Sequence, residues 1–175
     1  MGEGAGAALT DADYNVVVGR AALPADTLGS RSTAIGTYAL GTQNFTSATD
    51  NYNTAVGYAA GNVITTGTEN TLIGAEAGDA LTDADKNVAI GKSALTADTL
   101  GSRTVAVGQG ALAAQNFTTA TNTYNTAVGH FAGLSVTTGQ FNTLVGGLAG
   151  DAITDASGNT AMGYAALSTN TTGEF

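Results

Sequence analysis

The 175-residue chain has no cysteine and no tryptophan, and it contains one proline and one histidine. The lack of cysteine excludes disulfides, thiolate metal sites and thiol catalysis. His130 is the only histidine, so the chain cannot form a multi-histidine metal site. Any serine–histidine relay would have to include His130. Five basic residues stand against 14 acidic ones, a formal net charge of −9. We therefore expect neither nucleic acid nor an anionic membrane surface as a partner, because both need a basic face.

Long apolar runs and large side chains are also scarce. No apolar run approaches the roughly 20 residues needed to cross a bilayer, so membrane insertion is not expected. The opening MGEGAGAALTDAD has neither the basic start nor the apolar stretch of a signal peptide. Glycine and threonine are abundant instead. The 43% hydrophobic fraction is regularly placed, which argues against disorder.

A short phrase recurs nine times along the chain, in forms such as NVVVG, STAIG, NTAVG and NTLIG. The glycines that close it are Gly19, Gly36, Gly57, Gly74, Gly91, Gly108, Gly129, Gly146 and Gly163. They follow one another at intervals of 17, 21, 17 and 17, and this series then repeats, so four units form one super-repeat. We divide residues 1–175, one tandem-repeat domain, into super-repeats 11–82 and 83–154 and a partial third, 155–175. The terminal units are incomplete, and we expect the chain to be an excerpt of a longer fibre.

The motif predicts a short strand that ends at a glycine turn. The residue before the glycine is apolar and usually β-branched, which favours a strand. The residue before that is usually alanine, and adjacent strand residues face opposite ways. We expect one face, that of the β-branched residue, to line the interior, and the alanine face to be closely approached by something else. Asparagine lies four residues before most of these glycines, and we expect stacked units to place it in an amide ladder.

Units this short cannot bury a face alone, so they must stack into a continuous core. This predicts an all-β fold, a parallel β-solenoid of about nine coils that rises about 4.8 Å per coil. Helical arrays are disfavoured by the recurring glycine, asparagine and β-branched residues.

The phrases NTAVGYAAG, NTLIGAEAGDALTDAD and NVAIGKSAL resemble the head repeats of trimeric autotransporter adhesins. The TTG connectors of VITTGTENTLIG and VTTGQFNTLVG are similar to repeats in bacteriophage tail fibres. The resemblance covers nearly the whole chain. It implies left-handed β-rolls and three chains packed about one axis, and the alanine-rich face agrees with a surface buried between those chains. It also implies an extracellular location on a virion or a bacterial cell surface. The units of this chain depart from the adhesin pattern, because they are longer and uneven in length.

The two longer units carry insertions, QNFTSATDNYN and QNFTTATNTYN, at residues 43–53 and 115–125. We expect them to protrude, because loops on a rigid scaffold often carry recognition. Four aromatic residues are candidates for contact with a host glycan or receptor. They are Phe45, Tyr52, Phe117 and Tyr124. The alternative is that these rings brace the loop or the contact between chains.

The acidic connectors contain pairs of aspartates at alternate positions, Asp11 with Asp13 and Asp83 with Asp85. This is the spacing of the first ligands of a calcium loop, but the glycine and the glutamate that complete such a loop are absent. We therefore expect solvated turns and no metal site, and treat the four aspartates as weak cation candidates.

The remaining charged residues suggest structural roles. Arg31 and Arg103 are equivalent residues, and so are Arg20 and Lys92. We expect these cations to form ion pairs between coils or between chains, with Asp26 and Asp98 nearby in sequence. His130 occupies the place of Tyr58 one super-repeat earlier, so it is expected at the surface or between chains. No pair of carboxylates and no phosphate-binding glycine loop stands out. We expect neither enzymatic activity nor a cofactor.

The sequence favours a structural or adhesive segment of an extracellular fibre, a phage tail fibre that supports host attachment. A bacterial trimeric adhesin head is the alternative. A candidate of another class is an ice-binding solenoid, because threonine often lies three residues before the glycine. Since that position shares a face with the β-branched residue expected inside, we expect the threonine row to be hidden.

Overall fold

Each copy of the recurring motif forms one three-residue strand, and the nine strands pair in parallel in one sheet. The computed structural model describes residues 2–173. The strands of this main sheet are β1 Val16–Val18, β3 Thr33–Ile35, β5 Thr54–Val56, β6 Thr71–Ile73, β7 Val88–Ile90, β9 Val105–Val107, β11 Thr126–Val128, β12 Thr143–Val145 and β13 Thr160–Met162. The other four strands are two residues long and form two further parallel pairs: β2 Gly29–Ser30 with β4 Thr49–Asp50, and β8 Gly101–Ser102 with β10 Thr121–Asn122. The described residues contain no helix, and the all-β parallel solenoid of about nine coils is confirmed.

Every main-sheet strand pairs with the equivalent residues of the next coil. Thr54 lies opposite Thr71, for example, and Ala55 lies opposite Leu72. Motif positions therefore stack into rows that run along the solenoid. Since the rows run from coil to coil, side chains on one row are neighbours although a whole coil separates them in sequence.

The prediction of which strand face lines the interior was wrong. The middle residue of each strand, usually alanine, faces inward, and Ala34, Ala55 and Ala89 are completely buried. The β-branched residues before the glycines face outward, and Ile35 and Ile73 are 37% and 38% exposed. The threonine row lies on this same outward face, partly or fully exposed. Both strand faces are apolar, so alternation alone did not distinguish them.

The interior is narrow because turn residues fill it from the side opposite the main sheet. Ala77 and Ala94, three residues after their corner glycines, are buried, and so is Leu95, one position further on. Where glycine replaces that leucine, at Gly61 and Gly78, Leu72 of the main sheet fills the space. A Cβ added to either glycine would lie 2.7 or 2.8 Å from a Leu72 methyl carbon.

The predicted asparagine ladder forms, but most of its hydrogen bonds run to the main chain. The Asn70 backbone N–H donates to Oδ1 of Asn53, and the Asn87 N–H donates to Oδ1 of Asn70, both at 3.0 Å. The Asn70 side-chain amide donates to the Ala84 carbonyl at 2.7 Å. Each buried asparagine thus connects its own coil to the next one.

Candidate interaction surfaces

The outer face of the main sheet runs through all nine described coils. We define it as the side chains of the first and third residues of the nine strands. Thr, or Val in three coils, forms the first column, and Val, Ile or Met forms the second. Val18, Val128 and Met162 are 47%, 37% and 74% exposed. No described segment covers this face, so two columns of apolar or β-branched side chains remain in solvent.

Two rows of larger side chains border the outer face. The leading row is the residue two positions before each strand: Tyr14, Arg31, Tyr52, Glu69, Lys86, Arg103, Tyr124, Phe141 and Gly158. The trailing row is the residue after each corner glycine: Arg20, Thr37, Tyr58, Ala75, Lys92, Gln109, His130, Gly147 and Tyr164. All five lysines and arginines of the chain lie in these two rows, and all five are exposed.

This placement separates the charges of the molecule. Glu69 is the one carboxylate in the two rows, so the five cations are concentrated beside the outer face. The remaining acidic residues lie elsewhere in the sequence. Counted alone, the two rows carry five positive charges and one negative charge, on a chain whose formal charge is −9.

Most leading-row side chains contact one another. The Arg31 guanidinium carbon lies 4.9 Å from the ring centre of Tyr14 and 5.8 Å from that of Tyr52. Arg31 Nε pairs with an Asp50 carboxylate oxygen at 3.0 Å, and this hydrogen bond raises the pKa of Arg31. Arg31 thus forms an ion pair between coils, as predicted, but its partner is Asp50 and not Asp26. Lys86 pairs with Glu69 at 3.6 Å.

The trailing row holds two cations without a carboxylate partner among residues 2–173. Arg20 donates from Nη1 to the hydroxyl of Tyr38 at 2.7 Å. Lys92 makes no ion pair or side-chain hydrogen bond to any described residue. His130 is exposed in this row, as expected for a surface residue, and its ring centre lies 3.9 Å from that of Phe131.

The two insertions are anchored by buried carboxylates. Asp26 Oδ1 accepts hydrogen bonds from the backbone N–H groups of Gly29 and Phe45, both at 3.0 Å. Its Oδ2 accepts from Nε2 of Gln43 at 2.6 Å. Asp98 is held in the same way by Gly101, Phe117 and Gln115, at 3.0, 2.9 and 2.6 Å. Burial raises the pKa of Asp98, although these hydrogen bonds oppose the shift.

The four aromatic candidates divide into two kinds. Phe45 and Phe117 are only 6% exposed, and the backbone N–H of each donates to a buried carboxylate. Tyr52 and Tyr124 are 54% and 53% exposed, but they lie in the leading row. The protruding segments are residues 46–48 and 118–120, whose side chains are all exposed. The structure thus places the rings apart from the protrusions.

Sequence analysis did not identify Asp26 and Asp98 as anchors. The available signal was local: each aspartate precedes a glycine by three residues, which suits a turn in which the carboxylate accepts the glycine N–H. A glutamine opens each insertion, one coil after the aspartate to which it donates.

The acidic connectors bond to the preceding coil. Asp83 Oδ1 accepts from the Thr66 hydroxyl at 2.7 Å, and Asp85 Oδ1 accepts from the backbone N–H of Thr68 at 2.7 Å. Asp11 and Asp13 are exposed. Within residues 2–173, no three acidic or histidine side chains come together in a group that could hold a metal ion. Nor do these residues form a helix that could span a membrane.

Comparison with known proteins found no matching family model, no matching curated protein and no matching solved structure.

Proposed function

We propose that this chain is a structural and adhesive segment of an extracellular fibre, a phage tail fibre that supports attachment to the host surface. In this proposal three copies pack in parallel about one axis as left-handed β-rolls, with their outer faces toward that axis. The observation that carries it is the outer face itself. Its two columns, β-branched at every position except Met162, run through all nine coils and have no cover among the described residues.

An apolar face of this size is unusual on a monomeric protein. Nine strands at about 4.8 Å give a face roughly 40 Å long. Contiguous exposed apolar surface of this extent marks an interaction site. A cyclic arrangement covers three such faces at once, because each turns toward the common axis. This supports a trimer formed by the outer face, rather than by the alanine row that the sequence suggested.

The remaining features suit a fibre that holds a binding tip away from its base. Neighbouring coils are joined by backbone hydrogen bonds at nearly every turn, for example from Gly74 N–H to the Val56 carbonyl at 2.8 Å. Such continuous bonding leaves little free backbone for proteases. The exposed segments 46–48 and 118–120 are the places where a host glycan or receptor would be contacted. A bacterial adhesin head is the alternative, and a membrane anchor encoded beside this segment would decide for it.

Mass in solution tests the trimer. Light scattering after size exclusion should give three times the mass of the 17.1 kDa chain. Ile73→Lys adds a charge to the outer face and should give a folded monomer. Thr118→Lys adds the same charge to a protruding segment and should leave the trimer intact. A wild-type chain that remains monomeric at all concentrations would contradict the proposal.

Ice binding is a second candidate, and the outward position of the threonine row favours it. The row was expected to lie inside, yet Thr126 and Thr143 face solvent beside Val128 and Val145. A flat, regular array of hydroxyl and methyl groups can order water at spacings close to those of ice. A trimer would hide this array, so the two functions make opposite predictions. Thermal hysteresis together with the mass of a monomer would favour ice binding, whereas a trimer without hysteresis would remove it.

A further inference from the structure

We propose that a hollow beside the first insertion binds a neutral pyranose sugar. The hollow measures about 450 Å³, and its lining includes Asp11, Asp13, Tyr14, Arg31, Thr49 and Asp50. This inference rests on the attachment function proposed above, and it names the chemical class of the host ligand and the place where one chain would hold it.

Three segments of successive coils form the hollow, namely residues 11–14, 30–31 and 48–50. The Arg31 N–H donates to the Asp13 carbonyl at 3.0 Å, and the Asp13 N–H donates to the Ser30 hydroxyl at 2.9 Å. The base of the hollow is thus fixed by hydrogen bonds between coils. Apart from residues 14 and 31, the lining precedes the leading row, so a trimer packed through the outer faces would leave the hollow open.

Tyr14 gives the hollow an exposed ring against which a sugar can pack. This residue is 75% exposed. The Arg31 guanidinium lies over one face of the ring, 4.9 Å from its centre, and the high exposure leaves the other face in solvent. The C–H groups of a pyranose ring are apolar and suit such an aromatic face, while its hydroxyls remain free for polar partners.

The polar lining contains groups of both signs, which favours a neutral ligand. Arg31 pairs with Asp50, but a guanidinium has five N–H donors, so donors remain for a ligand. Asp11 and Asp13 form no ion pair and accept no side-chain hydrogen bond within residues 2–173. Three carboxylates would repel an anion, and a cation would leave the Arg31 donors without an acceptor. Sugar hydroxyls both donate and accept, so they can satisfy the carboxylates and the guanidinium together.

The second super-repeat differs at the equivalent positions. Lys86 stands where Tyr14 lines the first hollow, and Asn122 stands where Asp50 does. The two aspartates at this level already accept hydrogen bonds from threonines of the preceding coil. This level therefore has no exposed ring at the place of Tyr14 and has fewer unused acceptors. We expect one sugar site per chain, at the first insertion.

Amide chemical shifts of the full chain, measured by NMR, test the site. The probes are the methyl glycosides of glucose, galactose and mannose, for which dissociation constants of about 1 mM are expected at this ligand size. Amides in residues 11–14, 30–31 and 48–50 should shift with at least one probe, whereas the equivalent amides one super-repeat later should not. No shift with any probe, or equal shifts at the two levels, would overturn the site.

Charged sugars test the ligand class. Glucuronic acid carries a negative charge and glucosamine a positive one, and both should bind more weakly than the best neutral glycoside. Tighter binding of either charged sugar than of every neutral probe would overturn the assignment to a neutral sugar.

Two matched variants test the role of the ring. Tyr14→Lys introduces the residue that the second super-repeat carries at this place, and it should weaken sugar binding at least about tenfold. Tyr124→Lys makes the same change in the same row, at a ring that is 53% exposed, and should leave the dissociation constant unchanged. Equal affinities of Tyr14→Lys and the wild type would overturn the site. A monomer that binds sugar at this hollow would contradict the proposed trimer alone, whereas a trimer that binds none would overturn this inference alone.

Discussion

In every coil except the last, the corner glycine serves two needs at one position. Gly74 has a φ of +131°, which side chains rarely adopt, and it stacks directly on Gly91. A Cβ on Gly74 would lie 2.6 Å from the carbonyl carbon of Gly91 and 2.7 Å from its oxygen. Backbone atoms cannot yield as a flexible side chain does, so the clash would separate the coils. Glycine is therefore fixed by conformation and by contact together.

The last corner allows these two effects to be separated. Gly163 has a φ of +120°, but no atom of the described residues lies within 4 Å of an added Cβ. Gly74→Ala should destabilise the fold by about 2–4 kcal/mol, because it meets both strain and the next coil. Gly163→Ala should cost only the strain, roughly 1–2 kcal/mol. Thermal unfolding followed by circular dichroism measures both variants, and equal losses would mean that coil contact contributes little.

At the scale of the element, the two longer coils show how an insertion is tolerated. Four extra residues form a bulge, and the short pair β2–β4 resumes coil pairing beyond it. The buried carboxylate of Asp26 fixes the chain before the bulge by accepting the Phe45 N–H. Asp98 does the same for β8–β10. The protruding residues can therefore vary while the entry to the bulge stays fixed.

Asp98 should make stability depend on pH with a definite sign. Its pKa is raised in the folded state, so the folded protein binds this proton more tightly than the unfolded chain does. The resulting contribution is fully present below the unfolded pKa of about 3.8 and is lost as pH rises through the folded value. The Tm difference between wild type and Asp98→Asn should therefore fall as pH increases from about 4 to about 7. Asp155→Asn, at an exposed carboxylate, provides the control, and a constant Asp98 difference would contradict the assignment.

The repeat spacing in the sequence predicted the coils, but it did not predict which strand face points inward; only residue size carried that information. The glycine spacing gave the number of coils and the position of each main-sheet strand. It did not give the inward face, because alanine and the β-branched residues are both apolar. The sequence does contain a signal for the inward face, because a large strand residue accompanies a small turn residue. Leu72 and Leu144 replace alanine in coils where Gly78 and Gly150 replace the turn leucine. Residues that exchange volume must share a space, so that space is the interior.

The candidate surfaces were predictable only in part. The charges could be counted from the sequence, but to place them beside the outer face one must first know that the middle residue of each strand points inward. The contact of Arg31 with Asp50 depends on the bulge, which brings Asp50 beside Ser30. Spacing along the chain favoured Asp26 instead, because it could not show that this carboxylate is already buried and bonded to Gln43.

For the whole molecule, stacking makes each coil depend mainly on its two neighbours. Strand contacts in the main sheet run only between successive coils. Stability is then close to a sum of terms for coils and for the contacts between neighbours. We therefore expect that coils can be removed in whole numbers without loss of the fold.

Deletion of residues 83–154 tests this modularity. The deletion joins Thr82 to Asp155 and reproduces the natural Thr82–Asp83 junction. A folded solenoid should remain, shorter by four coils or roughly 19 Å, as measured by X-ray scattering. Deletion of 83–158 removes four further residues and leaves one coil too short to close, so its Tm should fall sharply. Equal Tm values for the two deletion variants would contradict the prediction that coils must be removed in whole numbers.

The backbone bonds between coils also determine how the molecule responds to force. They run along the long axis, so tension applied through the chain ends pulls on the bonds of one terminal coil at a time. A coil of the shorter kind occupies about 4.8 Å of the rod but spans roughly 60 Å when its chain is extended. Each coil that unwinds under load thus releases about twelve times its own height. A filament built in this way would lengthen in steps under a sudden pull and rewind when the load is removed.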